Sequence, residues 1–303
     1  MRTLEICLGL VGCVFGGLLH AQSPAPPPPP AIVVLHDVVI GQGGGRDLHA
    51  EVAYPKDAKK LLPAVIYIHG GGWRIGSQKQ GPFEELARDG YFCASIEYRL
   101  TGEAKWPAQI EDYKLSVRWL RANAAKYGVD PNRIGAWGDS AGAHLVSCLA
   151  TTADLKELEG TGGYPGVSSA VQVAIDYFGP SDFTAASFND PGGVRGMEEL
   201  FGVPREQNPN LWKSGSPAAL VKAGDPPILL VHGLDDQSVS VEQSILFDAA
   251  LTKAGVPHRL VLVKNADHGF KPLPGTTIDP SDPEIKALSL AFLAKYLMPP
   301  GAP

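Results

Sequence analysis

A chain of 303 residues has room for one large α/β domain or two ordinary ones. Its 44% hydrophobic and 19% charged residues suit a globular protein with a sizeable core. The formal net charge of −6, with no basic stripe, argues against a nucleic-acid partner, which needs clustered cations to displace phosphate counterions.

Arg2, the apolar run Ile6 to Leu19 and then Leu19-His20-Ala21 have the order of an export signal, expected over residues 1–21. Leu-Val-Gly-Cys13 also has the small-residue-then-Cys form of a lipoprotein signal. The apolar sequence continues past Cys13, so cleavage after Ala21 is the preferred reading, giving a periplasmic or extracellular protein. The run is too short for a stable membrane span. Pro24 to Pro30, broken once by Ala25, makes 22–31 a polyproline-type tether, and a single domain is expected over 32–303.

In that domain, Ile32–Ile40 and Leu48–Tyr54 alternate as half-buried strands around a glycine-rich turn at 41–45. Pro63–His69 is a continuous apolar run of the kind found in a doubly covered sheet. A helix over 81–88 leads to a strand over 91–98. Pro107 then opens a helix expected to run unbroken to about Tyr127. A strand at 133–137, a helix at 141–151 and a strand at 170–177 follow. Residues 179–226 lack a strand pattern and carry two short helical pieces, near 196–202 and 207–213; this segment is the candidate lid. Strands at 227–232 and 258–263 flank a helix over 241–254, and a helix over 283–297 closes the chain. The alternation implies a mostly parallel eight-stranded sheet with helices on both faces. Of the four cysteines, Cys7 and Cys13 fall in the signal, and Cys93 and Cys148 are expected as buried thiols.

Gly138-Asp139-Ser140-Ala141-Gly142 lies between a predicted strand and a predicted helix. Glycines there let strand and helix approach closely and leave the serine hydroxyl exposed on a strained turn beside free helix N–H groups. His69-Gly70-Gly71-Gly72-Trp73 follows another strand, and its glycines can turn their N–H groups toward a cavity. Gly71 and Gly72, with Ala141, are therefore the candidate oxyanion donors, and His69 is read as a buttress of that loop. A serine hydroxyl needs a base held by a third group. His268, at the end of the last strand, is the candidate base. Asp236 is preferred over its neighbour Asp235 as the orienting carboxylate; Asp267 is a further alternative, although adjacent side chains rarely aim at each other. Trp73, Phe178, Trp212 and Phe270 either line a substrate pocket or pack in the core. No Cys/His cluster has metal-ligand spacing, and no cofactor is expected.

These motifs, with His232-Gly-x-x-Asp236-x-x-Val239 and Asp-His268-Gly-Phe, resemble the hormone-sensitive-lipase-like branch of α/β-hydrolases. Within it the chain is most similar to bacterial carboxylesterases related to feruloyl and acetyl-xylan esterases, over about residues 45–298. The resemblance implies an α/β-hydrolase fold, a Ser140/Asp236/His268 triad and hydrolysis of small or medium acyl or aryl esters, free or linked to plant polysaccharide. The rival readings are an amide hydrolase of the arylformamidase or peptidase kind and a non-catalytic binding protein on the same scaffold. Oligomeric state is not legible.

Overall fold

The structure is a computed structural model that describes residues 29–185 and 191–298, without the side chains of 191–195. The signal expected over 1–21, Cys13 and most of the expected tether lie outside the described residues.

Eight strands form one sheet in the order β1-β2-β4-β3-β5-β6-β7-β8. They are β1 (Ile32–Gly43), β2 (Arg46–Pro55), β3 (Leu62–Ile68), β4 (Phe92–Ile96), β5 (Val129–Asp139), β6 (Val173–Tyr177), β7 (Ile228–Gly233) and β8 (His258–Val263). Only the two pairings made by β2 are antiparallel. The mostly parallel eight-stranded sheet expected from the sequence is the one observed.

Nine helices connect the strands among the described residues. Between β3 and β4 is α1 (Phe83–Arg88). Between β4 and β5 are α2 (Ala108–Ala122) and α3 (Ala124–Tyr127), and α4 (Ala141–Thr151) follows β5. Three short helices lie between β6 and β7: α5 (Pro191–Phe201), α6 (Pro209–Ser214) and α7 (Pro217–Leu220). After β7 come α8 (Glu242–Ala254) and, beyond β8, α9 (Asp282–Leu297). None is long and apolar enough to cross a membrane.

Alternate residues of the central strands feed two cores, one on each face. Ile66, Ala94, Ala136 and Leu230 pack toward α2, α4 and α8, whereas Val65, Cys93, Trp137 and Leu229 pack toward α1 and α9. Each aliphatic or aromatic side chain buried in this way contributes roughly 1.5–3 kcal/mol. Cys93 and Cys148 are both free and buried.

The helix expected to run from 107 to 127 is interrupted. Asn123 turns its side-chain amide back to the Trp119 carbonyl (2.8 Å), ending α2 before α3 begins. The loose apolar pattern of α2 also has a cause. The helix is buried nearly all round, and its charges are paired rather than solvated: Arg99 with Asp112 (2.7 Å), and Lys114 and Arg118 with Glu159 (3.0 and 2.6 Å).

Because β4 lies on one side of β3 and β5 on the other, the winding direction reverses between β3 and β5. A crevice opens at such a switch, outside the carboxyl ends of the strands. The loops after β3 and β5 carry the two glycine motifs to that point.

Candidate active site

Ser140 turns the chain from β5 into α4 with φ 52° and ψ −121°, a conformation L-residues rarely adopt and one the surroundings must enforce. Two glycines make it sterically feasible. A Cβ on Gly138 would stand 2.7 Å from the Gly142 carbonyl carbon, and one on Gly142 would overlap the Ile68 carbonyl oxygen. Ser140 N–H donates to the Tyr177 carbonyl (2.8 Å), and the Ser140 carbonyl accepts from His144 N–H (3.0 Å), fixing both ends of the turn.

The Ser140 hydroxyl lies 3.0 Å from His268 Nε2, and His268 Nδ1 lies 2.7 Å from Asp236 Oδ2. The other Asp236 oxygen accepts from the N–H groups of Ser238 and Val239, both at 2.8 Å. Burial opposes ionisation of Asp236. Hydrogen bonds from His232 and His268, the Val239 amide and the nearby imidazole outweigh it and hold the carboxyl well below the usual carboxylate range. An ionised Asp236 fixes Nδ1 of His268 as the protonated nitrogen, which leaves Nε2 free to accept from Ser140.

Asp235 does not enter this relay; its N–H donates to the Ala266 carbonyl (3.1 Å) in the segment that carries His268. Asp267 makes no hydrogen bond to the imidazole ring. Its carboxylate accepts from the N–H groups of Gln237 (2.9 Å) and His268 (2.7 Å) and so clamps the two loops that carry the acid and the histidine.

Gly71, Gly72, Ala141, Ser140 and His268 all line one cavity of about 480 Å³. Gly71 and Gly72 have φ of 104° and 60°, and the Gly71 carbonyl accepts from the N–H groups of Arg74 and Ile75 in a tight turn. Among the described residues no hydrogen bond engages the N–H of Gly71, Gly72 or Ala141. His69 lies behind this loop, where burial lowers its basicity. It stacks on Tyr98 with centroids 4.6 Å apart, and its Nδ1–H donates to the Gly70 carbonyl (2.7 Å).

Of the four aromatic candidates, Trp73 and Phe178 line the cavity, and Phe178 sets its ring edge-on to His268, with centroids 4.8 Å apart. The other two do not line it. Trp212 is 1% exposed, stacks on Phe201 at 4.9 Å and donates its indole N–H to the Val203 carbonyl (3.0 Å). Phe270 packs behind Phe178, centroids 4.9 Å apart. Both are support for the wall.

The sequence reading assigned no role to four contributors. Met197 of α5 and Lys271 line the cavity, and nothing in their local pattern marks them. Asp139 sits at the elbow and accepts from the Tyr67 hydroxyl on β3, a link between elbow and neighbouring strand. His232 is fully buried. Its Nε2–H donates to the Val239 carbonyl (2.8 Å) and stands 3.4 Å from Asp236 Oδ2. His232 was visible as part of the motif around Asp236, but its role is only evident in three dimensions.

Fold and site together define an α/β-hydrolase, as the motifs implied. The chain belongs to the BD-FAE family, whose model matches residues 50–251. Esterase LipQ of Mycobacterium tuberculosis is 34% identical over 240 residues, covering 77% of this chain and 56% of LipQ, so the chain spans little more than half the length of that relative. Among solved structures, a truncated carbohydrate esterase from gut microbiota is similar at a TM-score of 0.77 and 27% identity, over 88% of this chain and 97% of that one. The butyrate-bound esterase Est2 of Thermogutta terrifontis is similar at a TM-score of 0.69 and 28% identity, over 91% and 98%.

Proposed function

We propose that the chain is an exported serine carboxylesterase that hydrolyses small or medium acyl or aryl esters through an acyl-enzyme. The observation that carries this reading is the continuous relay from Ser140 through His268 to buried Asp236, facing unengaged amides across one cavity.

In the proposed reaction His268 Nε2 takes the proton of Ser140 as Oγ adds to the ester carbonyl. The oxyanion is met by the Ala141 N–H and by N–H groups of the Gly71–Gly72 turn, each such donor being worth about 3–4 kcal/mol. Collapse breaks the bond to the alkoxy oxygen, which leaves with the proton from His268. Water then adds to the acyl-serine with His268 again as base, releasing the acid and restoring the hydroxyl. The buried Asp236 charge stabilises the imidazolium formed in each half-reaction.

A cavity of about 480 Å³, walled by Trp73, Phe178 and Met197, suits an acetyl, a short-chain acyl or a single aromatic acyl group better than a long lipid chain. The carbohydrate esterase and the butyrate-bound esterase among the similar structures favour the same range, with acetyl and feruloyl groups on plant polysaccharide as candidate substrates. Export rests on the order Arg2, Ile6–Leu19, Ala21. In the test, Ser140→Ala loses both turnover of p-nitrophenyl acetate and labelling by a fluorophosphonate. Full turnover in that variant would sink the reading. A series of p-nitrophenyl esters peaking at long chains would overturn the size assignment alone.

A further inference from the structure

The end of the sheet opposite the crevice, where β3 begins, has a surface that the reaction does not use. The loop between β2 and β3 carries Lys56, Lys59, Lys60 and Leu61, all exposed, with Leu61 at 54%. The three lysines and Leu61 line one groove with Tyr54 and Tyr127. Lys126 adjoins it, its ammonium 4.8 Å from the Tyr127 ring centroid. Among the described residues none of the four lysines has a carboxylate partner within ion-pair distance, and Asp57 is the one acid within the loop. On a chain of net charge −6 this is a marked local reversal of sign.

Two further observations bear on what covers it. The described chain enters the domain beside this groove, where Lys56 N–H donates to the Ala31 carbonyl (3.0 Å). And β3 starts at Leu62 in the groove and ends at Ile68, three residues before Gly71, so the crevice opens about 20 Å away, at the other end of the strands.

We infer that this lysine-rimmed face docks on an anionic lipid surface, which holds the cavity mouth outward. Unpaired lysines around an exposed leucine match a headgroup layer, with cations at the phosphates and the apolar side chain in the acyl boundary. Each lysine near such a surface contributes roughly five-fold in partitioning.

The test uses the full chain and two vesicle preparations, pure phosphatidylcholine and phosphatidylcholine with about a third phosphatidylglycerol. The two preparations differ in headgroup charge and share the same kind of acyl layer, so the difference between them reads the lysines. At about 0.1 M salt, binding to the anionic vesicles is expected to be at least ten-fold tighter, and near 1 M salt the difference disappears. The variant K56Q/K59Q/K60Q/K126Q is expected to bind both preparations as the wild type binds neutral ones, with unchanged turnover of soluble p-nitrophenyl acetate. Equal binding by the wild type, or a preference that survives the four substitutions, overturns the assignment. So does lysine-dependent binding of polygalacturonate stronger than that of the anionic vesicles, which would make the partner an acidic polysaccharide. Ester turnover is measured separately, so failure here leaves the proposed reaction standing.

Discussion

Asp236 and Asp267 are both within reach of the His268 loop, yet their surroundings give them different work. Asp236 is buried, with one oxygen on the imidazole and the other on two backbone amides; Asp267 is half-buried and spends its carboxylate on backbone amides. Asp236→Asn keeps the shape but loses the charge that selects the tautomer. It is expected to lower kcat by about 10³–10⁴-fold with a much smaller change in KM. Asp267→Asn is expected to change kcat by a few-fold at most. Steady-state kinetics on one aryl ester checks both, and the reverse order would mean that Asp267 is the orienting acid. The sequence could rank these residues because adjacent side chains seldom converge. It preferred Asp236 to Asp235 and drew further support from the resemblance, since turn geometry decides which of two neighbours points inward. The same limit explains Trp212 and Phe270: a large aromatic in a loop looks alike whether it lines a pocket or stands behind its wall.

At the scale of the element, the nucleophile turn depends on β5 and α4 approaching within contact of β3. Gly142 is where that approach is closest, since a Cβ there would run into the backbone of Ile68 and His69 rather than into a movable side chain. Gly142→Ala is therefore expected to destabilise by about 1–3 kcal/mol, in the range of overpacked sites, and to cost activity by displacing Ser140. Urea unfolding and kinetics on the same preparation would check this; full stability with full activity would mean that the turn relaxes. All eight strands of the sheet were legible because each pairs a run of apolar residues with clear punctuation. The break in the 108–127 helix was not, because Asn123 ends it through a side-chain bond to the helix's own backbone instead of through glycine or proline. The full extent of β5 was missed for a related reason. Val129–Asn132 joins β5, ahead of the expected start at Arg133, although Pro131 and its polar neighbours carry no strand pattern; pairing of Leu62 with Val129 holds it there.

At the scale of the whole molecule, the segment 179–226 meets the catalytic face at several points, among them Lys222 on the Thr151 carbonyl and the buried side chain of His144. His144, on α4 four residues after Ser140, is fully buried. Its Nδ1 accepts from the Trp73 indole N–H (3.2 Å) and its Nε2–H donates to the Gly215 carbonyl (2.7 Å). One neutral imidazole thus ties the nucleophile helix, the glycine loop and the turn between α6 and α7. Protonation would put a second proton where Trp73 donates, and burial lowers the pKa of His144 to about 4, against 6.5 for a free histidine. The unfolded chain takes up that proton near pH 6.5, the native protein only near pH 4. Between those values the unfolded state binds more protons, so native stability is intact above pH 6.5, falls as pH drops, and has lost its full share, about 3 kcal/mol, below pH 4. His144→Gln can still accept and donate but cannot titrate. It is expected to be less stable than the wild type at pH 7, with the difference shrinking by about that amount toward pH 4. Denaturant unfolding of both proteins across this range is the measurement, and parallel profiles would mean that His144 does not couple these parts through its neutral form.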